Sequence, residues 1–159
     1  MLYAIVFVVA GMWFVGRSGA ERGANRRLVL EGVFSALVGL AAVALIQHFY
    51  HHPRPFAERN DVYLLVPHSA DPSFPSEHVI VAAALAGSFI WNRRWLGSLL
   101  MLAAGALGFA RVLAGVHYPA DVIAALALGV IISWVVAQMG APLDRAQRLL
   151  TGFMPSPLR

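Results

Sequence analysis

Residues 32–50 read GVFSALVGLAAVALIQHFY and contain no formally charged side chain. A transmembrane α-helix needs about 20 mainly apolar residues, so this stretch has the length and composition to cross a bilayer. It shows no sustained period-2 alternation, which argues against a strand. Its alanine, glycine and leucine content is typical of membrane helices that pack closely through small residues. The stretch therefore predicts a membrane-spanning helix.

Four further apolar stretches surround it, at residues 1–16, 76–91, 95–110 and 122–143. We expect Gly140 and Pro142 to end the last of them. A signal peptide is the alternative interpretation of the first stretch, but no positive charge precedes it and no small-residue cleavage site follows it. The pattern predicts an all-α fold: a single domain over residues 1–159, built as an integral membrane bundle of about five transmembrane helices.

The overall composition supports this prediction. Of the 159 residues, 59% are apolar and 13% are charged, whereas a soluble domain is about 45–50% apolar and about 25% charged. So much apolar surface excludes an intrinsically disordered chain. The absence of cysteine excludes a disulfide scaffold, a thiolate zinc site and a cysteine nucleophile.

All 12 cationic side chains are arginines, and nine of them lie in the region 17–27, in the link 93–94 and in the tail from residue 145. Five crossings place these regions on one side, which the positive-inside rule makes cytoplasmic. Segments 51–75 and 115–120 then face the periplasm or extracellular space. The tail after Asp144 suggests a short amphipathic piece on the inner surface. The net charge of +4 thus reflects topology, and no basic stripe with interleaved aromatic residues indicates nucleic-acid binding.

Three polar clusters lie in or next to the outward segments. The first reads HHPRPF from position 51. The prolines on both sides of Arg54 disfavour a helix and hold this arginine on a stiff, extended segment. A guanidinium binds two phosphate oxygens at once, so the cluster suggests a phosphate contact. The alternative is an interfacial arginine next to a helix end.

The second cluster reads SFPSEH from position 73, directly before an apolar stretch. Ser76 is a good N-cap and Glu77 suits a first helical turn. A helix N-terminus presents unpaired N–H groups and binds phosphate, with His78 in the same first turn. The alternative is plain helix capping beside an interfacial histidine.

The third cluster reads RVLAGVHYPAD from position 111. We expect Gly115 to end one helix and Pro119 to open the next. Asp121 then lies within hydrogen-bonding reach of His117, and a carboxylate that orients a histidine prepares it as a nucleophile or base. The alternative is an Arg111–Asp121 ion pair that seals the turn.

Taken together, the clusters place two histidines, two arginines and two acids at the outer helix ends, while the helix centres carry no charge. Ionisable residues at membrane depth are costly and usually functional. A transporter is expected to carry such features near the midplane, and the sequence shows none there.

The three clusters, in this order, resemble the motifs of the type 2 phosphatidic acid phosphatase superfamily, K-x6-RP, PSGH and SR-x5-H-x3-D. The matching residues are Arg54-Pro55, Pro75-Ser76-Glu77-His78, Arg111, His117 and Asp121. Within the superfamily the chain is most similar to the bacitracin-resistance type of undecaprenyl-diphosphate phosphatase, which has an acid in place of the glycine of PSGH.

Some positions depart from that pattern. Gln47 stands where the family has lysine, Ala110 where it has serine, and Glu77 where the subfamily has aspartate. His51 or His52 is a candidate to replace the missing lysine. Members also usually carry a further N-terminal segment.

The resemblance implies roles for the matching residues. His117 would attack phosphorus and form a phosphohistidine, Asp121 would orient it, and His78 would act as acid and then as base. The expected phosphate-binding residues are Arg54, Arg111, Ser76 and Glu77. Glu77 would either tune the protonation of His78 or meet the diphosphate through a water. No metal and no cofactor are implied.

The implied partners are a polyprenyl diphosphate substrate and membrane lipids, in the inner (plasma) membrane, with recycling of the carrier lipid and resistance to bacitracin as the outcome. The sequence leaves the oligomeric state open. It also leaves three other functions open: a phosphatase of phosphatidylglycerol phosphate or phosphatidic acid, a lipid-binding relative without activity, and a metal-binding membrane protein. The last would use the histidines at 48, 51, 52, 68, 78 and 117.

Overall fold

Helices account for all the regular structure in the computed structural model, which describes residues 1–66 and 69–152. Within those residues there are seven α-helices and no strand. The helices are α1 (Leu2–Gly11), α2 (Gly19–Phe49), α3 (Pro55–Glu58), α4 (Glu77–Ile90), α5 (Arg94–Leu113), α6 (Pro119–Ala137) and α7 (Gly140–Gly152). The predicted all-α fold is confirmed.

Helix α4 lies at the centre of the bundle. Apart from Val81, every residue between Val79 and Phe89 is buried, and α1, α2, α5 and α6 all pack against it. Alanine and glycine dominate the helix, so neighbouring backbones approach closely. A Cβ on Gly129 of α6 would lie 2.6 Å from the Cβ of Ala83, which shows that α4 and α6 meet without room for a larger residue.

Three helices, α2, α5 and α6, are long and apolar enough to cross a membrane, while α1 and α4 are shorter apolar helices. The 14 residues of α4 span about 21 Å, less than the hydrocarbon core of about 30 Å. Large apolar side chains on the long helices face outward, among them Leu37, Leu102 and Ile123. Such an apolar exterior suits contact with lipid.

Two boundaries differ from those expected. Helix α2 begins at Gly19 rather than near residue 32, because the Ser18 side chain accepts a hydrogen bond from the Glu21 N–H at 3.1 Å and caps it. Helix α6 ends at Ala137, where the Gln138 and Met139 N–H groups bond to carbonyls only three residues back. The arginine-rich region 17–27 is therefore mostly helical.

Gly140 begins α7 instead of ending α6. The Asp144 carboxylate of α7 accepts a hydrogen bond from Arg27 of α2 at 3.2 Å, which ties this last helix to the bundle. Arg145, Arg148 and Leu149 are exposed. Arg159 lies outside the described residues.

Four helix ends meet at one end of the bundle: the C-termini of α2 and α5 and the N-termini of α4 and α6. The segments 50–76 and 114–118 connect them, and these segments together with the adjoining helical turns carry the three polar clusters. We call this the site end. The opposite end holds the N-terminus of α2, the link between α4 and α5, and α7.

Candidate active site

Arg54 lies at the site end in an extended conformation, with φ −75° and ψ 151°, as its flanking prolines predicted. Its side chain is 3% exposed. Nη1 donates to the Val116 carbonyl at 2.9 Å, Nε to the Asp71 carbonyl at 3.0 Å, and Nη2 to the Pro72 carbonyl at 3.3 Å. Backbone oxygens from two separate loops therefore fix the guanidinium.

Asp71 also reaches the same guanidinium with its carboxylate. Its Oδ1 lies 3.2 Å from Arg54 Nη2, and its side chain is 43% exposed. The carboxylate therefore covers Arg54 from the solvent side, on a loop that also carries Ser69, whose hydroxyl donates to the same Oδ1 at 2.8 Å.

His117 is held in one tautomer. Its Nδ1 lies 2.9 Å from the main-chain oxygen of Ser73. A carbonyl only accepts hydrogen bonds, so Nδ1 carries the proton and Nε2 presents a lone pair. That Nε2 lies 3.3 Å from Arg54 Nη1 and 3.4 Å from Arg111 Nη2. Two guanidiniums thus converge on the nitrogen that is able to attack.

Asp121 is 1% exposed and lies beside His117. Its Oδ2 accepts a hydrogen bond from the Tyr118 N–H at 2.8 Å, which fixes the carboxylate at the start of α6. The same oxygen lies 3.5 Å from His117 Nδ1. The Ser73 carbonyl is the closer partner of that nitrogen, so Asp121 and Ser73 orient the imidazole together.

Burial lowers the pKa of His117 below its usual value, because a buried imidazolium loses hydration. The hydrogen bond with Asp121 opposes this shift, and the charges of Arg54 and Arg111 add to it. His117 therefore stays neutral at neutral pH, which is the form that a nucleophile requires.

The N-terminus of α4 faces the same region. Ser76 occupies the N-cap position and is fully buried, and its N–H donates to the Asp121 carbonyl at 3.4 Å. Its hydroxyl was expected to cap the helix but makes no cap bond. Among the described residues the hydroxyl oxygen has no hydrogen-bond partner. Glu77 is exposed and His78 is half-buried in the first turn.

Three residues at this site were not assigned roles from the sequence. Ser73 and Asp71 act partly through main-chain carbonyls, which no residue type reveals. Gln47, in the place of the family's lysine, donates from Nε2 to the Pro72 carbonyl at 3.3 Å, the same oxygen that receives Arg54 Nη2. It therefore supports the loop that holds Arg54.

Metal binding has no visible basis in the part of the chain that is described. Over residues 1–66 and 69–152, no three histidine, aspartate or glutamate side chains are grouped to hold a metal ion. His68, one of the histidines considered for such a site, lies outside those residues.

The site thus combines a neutral, oriented imidazole, two guanidiniums around its open nitrogen, and a helix N-terminus with a buried hydroxyl. Such a combination, at one end of a helix bundle, suits the binding of a phosphate group next to a histidine nucleophile. Comparison with known families agrees: the PAP2 superfamily matches residues 28–144. The chain belongs to the PAP2 superfamily, the type 2 phosphatidic acid phosphatases, and is a membrane protein.

Two similar proteins carry names that refer to one kind of phosphatase within this superfamily. The chain is 34% identical over 136 residues to undecaprenyl-diphosphatase BcrC of Bacillus subtilis, and the matched region covers 84% of this chain and 67% of that protein. It is 40% identical over 109 residues to putative undecaprenyl-diphosphatase YbjG of Escherichia coli, and the matched region covers 68% of this chain and 54% of that protein. The chain therefore spans about half to two thirds of the length of these relatives.

Among solved structures, the crystal structure of Aquifex aeolicus LpxE is similar, with a TM-score of 0.71 and 25% identity over 85% of this chain and 77% of that one. A PAP2-type phosphatidylglycerolphosphate phosphatase from Bacillus subtilis shares the fold, with a TM-score of 0.57 and 24% identity over 87% of this chain and 67% of that one.

Proposed function

We propose that this protein is a membrane phosphatase that removes the terminal phosphate of undecaprenyl diphosphate through a phosphohistidine intermediate. One observation carries the proposal. His117 has its proton fixed on Nδ1 by the Ser73 carbonyl at 2.9 Å, and its open Nε2 lies within 3.4 Å of the two guanidiniums of Arg54 and Arg111. A phosphoryl group placed there would meet both the nucleophile and its counter-charges.

In the first step, Nε2 of His117 forms a bond to the terminal phosphorus while the bond from phosphorus to the bridging oxygen breaks. His78 gives its proton to that leaving oxygen, so the lipid monophosphate departs. Charge on the phosphoryl oxygens is stabilised by Arg54 and Arg111, together with the N–H groups at the start of α4 and the Ser76 hydroxyl. Asp121 balances the positive charge that develops on His117.

In the second step, His78 takes a proton from a water molecule. The water oxygen bonds to phosphorus, the phosphorus–nitrogen bond breaks, and inorganic phosphate leaves with His117 neutral again. Glu77, exposed beside His78 and acting electrostatically on Arg111, either tunes the protonation of His78 or contacts the diphosphate through water.

The substrate follows from the relatives and from the setting. BcrC and YbjG are named undecaprenyl-diphosphatases, and a membrane bundle with its site at one end suits a lipid whose head lies in the interface. The arginine distribution supports a site facing outward from the inner (plasma) membrane. Removal of the phosphate there would regenerate the carrier lipid and confer resistance to bacitracin, and a third relative is named bacitracin transport permease protein BcrC.

A second candidate is a phosphatase of another lipid phosphate, such as phosphatidylglycerol phosphate or phosphatidic acid. The observation in its favour is that a phosphatidylglycerolphosphate phosphatase from Bacillus subtilis shares the fold over 87% of this chain. The arginines and His117 recognise a terminal phosphate, whereas the rest of the lipid distinguishes the two candidates.

Phosphate release from purified lipids in detergent tests both. We expect undecaprenyl diphosphate to be hydrolysed with the highest kcat/KM, ahead of phosphatidylglycerol phosphate and phosphatidic acid. Vanadate, which adopts the geometry of the pentacoordinate phosphorus, should inhibit, and EDTA should not. A higher kcat/KM for either of the other lipids would support the second candidate, and no release from any lipid would contradict both.

A further inference from the structure

His52 lies two residues before Arg54 and is held in a fixed orientation. Its ring stacks on Tyr50 with centroids 5.9 Å apart and meets the edge of Tyr118 at 5.0 Å. Its Nδ1 lies 2.9 Å from the Ser73 hydroxyl, and its main-chain oxygen accepts the Ser73 N–H at 2.8 Å. His52 therefore holds Ser73 at two points, one on the backbone and one on the side chain.

Ser73 in turn contacts His117. Its carbonyl accepts the Nδ1–H of His117 at 2.9 Å. The serine is fully buried, so water does not compete with this bond. A shift of Ser73 would therefore move the imidazole.

The Ser73 hydroxyl has two neighbours, the Nδ1 of His52 at 2.9 Å and the Pro53 carbonyl at 3.4 Å. A carbonyl only accepts hydrogen bonds, so the hydroxyl donates to Pro53 when Nδ1 of His52 carries a proton and donates to His52 when it does not. In both cases the shorter contact of the hydroxyl is the one to His52.

From this chain of contacts we infer that His52 is a positioning residue for the phosphatase reaction: through Ser73 it fixes the orientation of His117. The inference rests on the proposed function, because it assigns His52 a part in that reaction. His52 was also a candidate to replace the lysine that the family has in place of Gln47. Its Nδ1 contacts the Ser73 hydroxyl, so positioning Ser73 is a different role from that of the lysine.

Two matched variants test the role. Asparagine at position 52 places an amide group where Nδ1 was, whereas glutamine places it one methylene further, near the former Nε2. Both variants remove the imidazole ring, and neither of the two amide side chains titrates. We expect His52→Asn to keep kcat within about threefold of wild type, and His52→Gln to lower kcat about ten- to a hundredfold with little change in KM, the range for leaving a buried polar group without its hydrogen bond.

Ser73→Ala removes the hydroxyl and keeps the carbonyl, so it tests the same link if the His52 variants fold poorly. We expect a similar fall in kcat, and a double variant His52→Gln/Ser73→Ala no slower than the slower single one, because both changes break one chain of contacts. Full activity of Ser73→Ala or His52→Gln, or effects that multiply in the double variant, would overturn the inference.

Wild type and His117→Ala, run in the same assay, separate the two hypotheses. If wild type releases no phosphate, or if His117→Ala keeps its rate, the proposed function fails. If both controls behave as expected but the asparagine and glutamine variants do not differ, only the role of His52 fails.

Discussion

The two ends of the bundle both carry arginines and acids but arrange them differently. At the opposite end two of the guanidiniums meet carboxylates: Arg27 lies 2.8 Å from Glu31 and 3.2 Å from Asp144, and Arg93 lies 3.5 Å from Glu21. At the site end two guanidiniums lie within 3.4 Å of one imidazole nitrogen.

This difference shows what each set of charges does. A guanidinium paired with a carboxylate is largely neutralised, and at the opposite end such pairs fasten helices together. At the site end the Asp71 carboxylate contacts Arg54 from the solvent side, but Arg54 and Arg111 also converge on a neutral imidazole and repel each other. An anion between these two guanidiniums would lower the energy of the site. The opposite end therefore suits a structural role, and the site end suits the binding of an anion.

The strongest test of the comparison removes the nucleophile. His117→Ala should lower kcat by more than about a thousandfold, as the loss of a nucleophile does in enzymes with an activated side chain. Phosphate release in detergent measures it, with His48→Ala, a change at an exposed histidine in the last turn of α2, as the control. Activity of His117→Ala close to that of the control would contradict the assignment.

The second test makes the same substitution, arginine to glutamine, at each of the two ends of the bundle. Arg54→Gln should lower kcat about a hundred- to a thousandfold, the usual cost of losing one donor to a developing oxyanion. Arg93→Gln, its counterpart at the opposite end, is the control. If the two variants lost activity equally, the division between the two ends would be wrong.

The pH dependence of kcat/KM probes the electrostatics at the site end. Burial and the two arginines lower the pKa of His117, so the neutral nucleophile persists below its ordinary pKa of about 6.5. Activity should therefore stay high as pH falls through 6.5 and decline tenfold per unit only below that value. An acid limb centred above pH 7 would contradict this.

A smaller effect is expected from Asp71, whose carboxylate contacts Arg54 at 3.2 Å and would compete with a bound phosphate. Asp71→Asn keeps an acceptor for Arg54 but removes the charge. Because half-exposed ion pairs are worth about 0.2–1 kcal/mol, we expect about a two- to fivefold lower inhibition constant for vanadate. Asp61→Asn, at an exposed carboxylate paired with Arg59, is the control, and weaker vanadate inhibition in Asp71→Asn would show that the carboxylate does not compete.

The smallest effect is expected at the opposite end. Arg93 and Glu21 are each more than a third exposed, so Arg93→Gln should cost less than about 1 kcal/mol of stability and leave kcat within about twofold. Thermal unfolding in detergent and the phosphate assay measure the two quantities. A large loss of activity here would mean that the opposite end also takes part in the reaction.

Much of this arrangement could be predicted from the sequence. The five apolar stretches correspond to α1, α2, α4, α5 and α6, because runs of apolar residues of that length form helices in a membrane. The turn between α5 and α6 was also predicted, since Gly115 has φ +74°, a conformation that glycine adopts most easily, and Pro119 opens α6. The spacing of His117 and Asp121 across this turn also predicted that their side chains lie close together.

Other features depended on the folded chain. The sequence did not predict the start of α2 at Gly19, because the uncharged apolar stretch begins only at residue 32. Ser18 and Glu21 form the local cap of this helix, but they lie outside that stretch. The hydroxyl of Ser76 was expected to cap α4 and does not. Both errors arise because a residue type signals that it is able to cap a helix, but the packing around it decides whether it does.

The sequence by itself determined an all-helical membrane bundle and the residue types of its site, because apolar length and side-chain chemistry are written in the residues. The tertiary structure decided which partners those side chains meet. The proton on His117 is fixed by the carbonyl of Ser73, 44 positions away, and Arg54 is held by that of Val116, 62 positions away. Every residue carries the same carbonyl, so only the path of the chain determines which one points into the site.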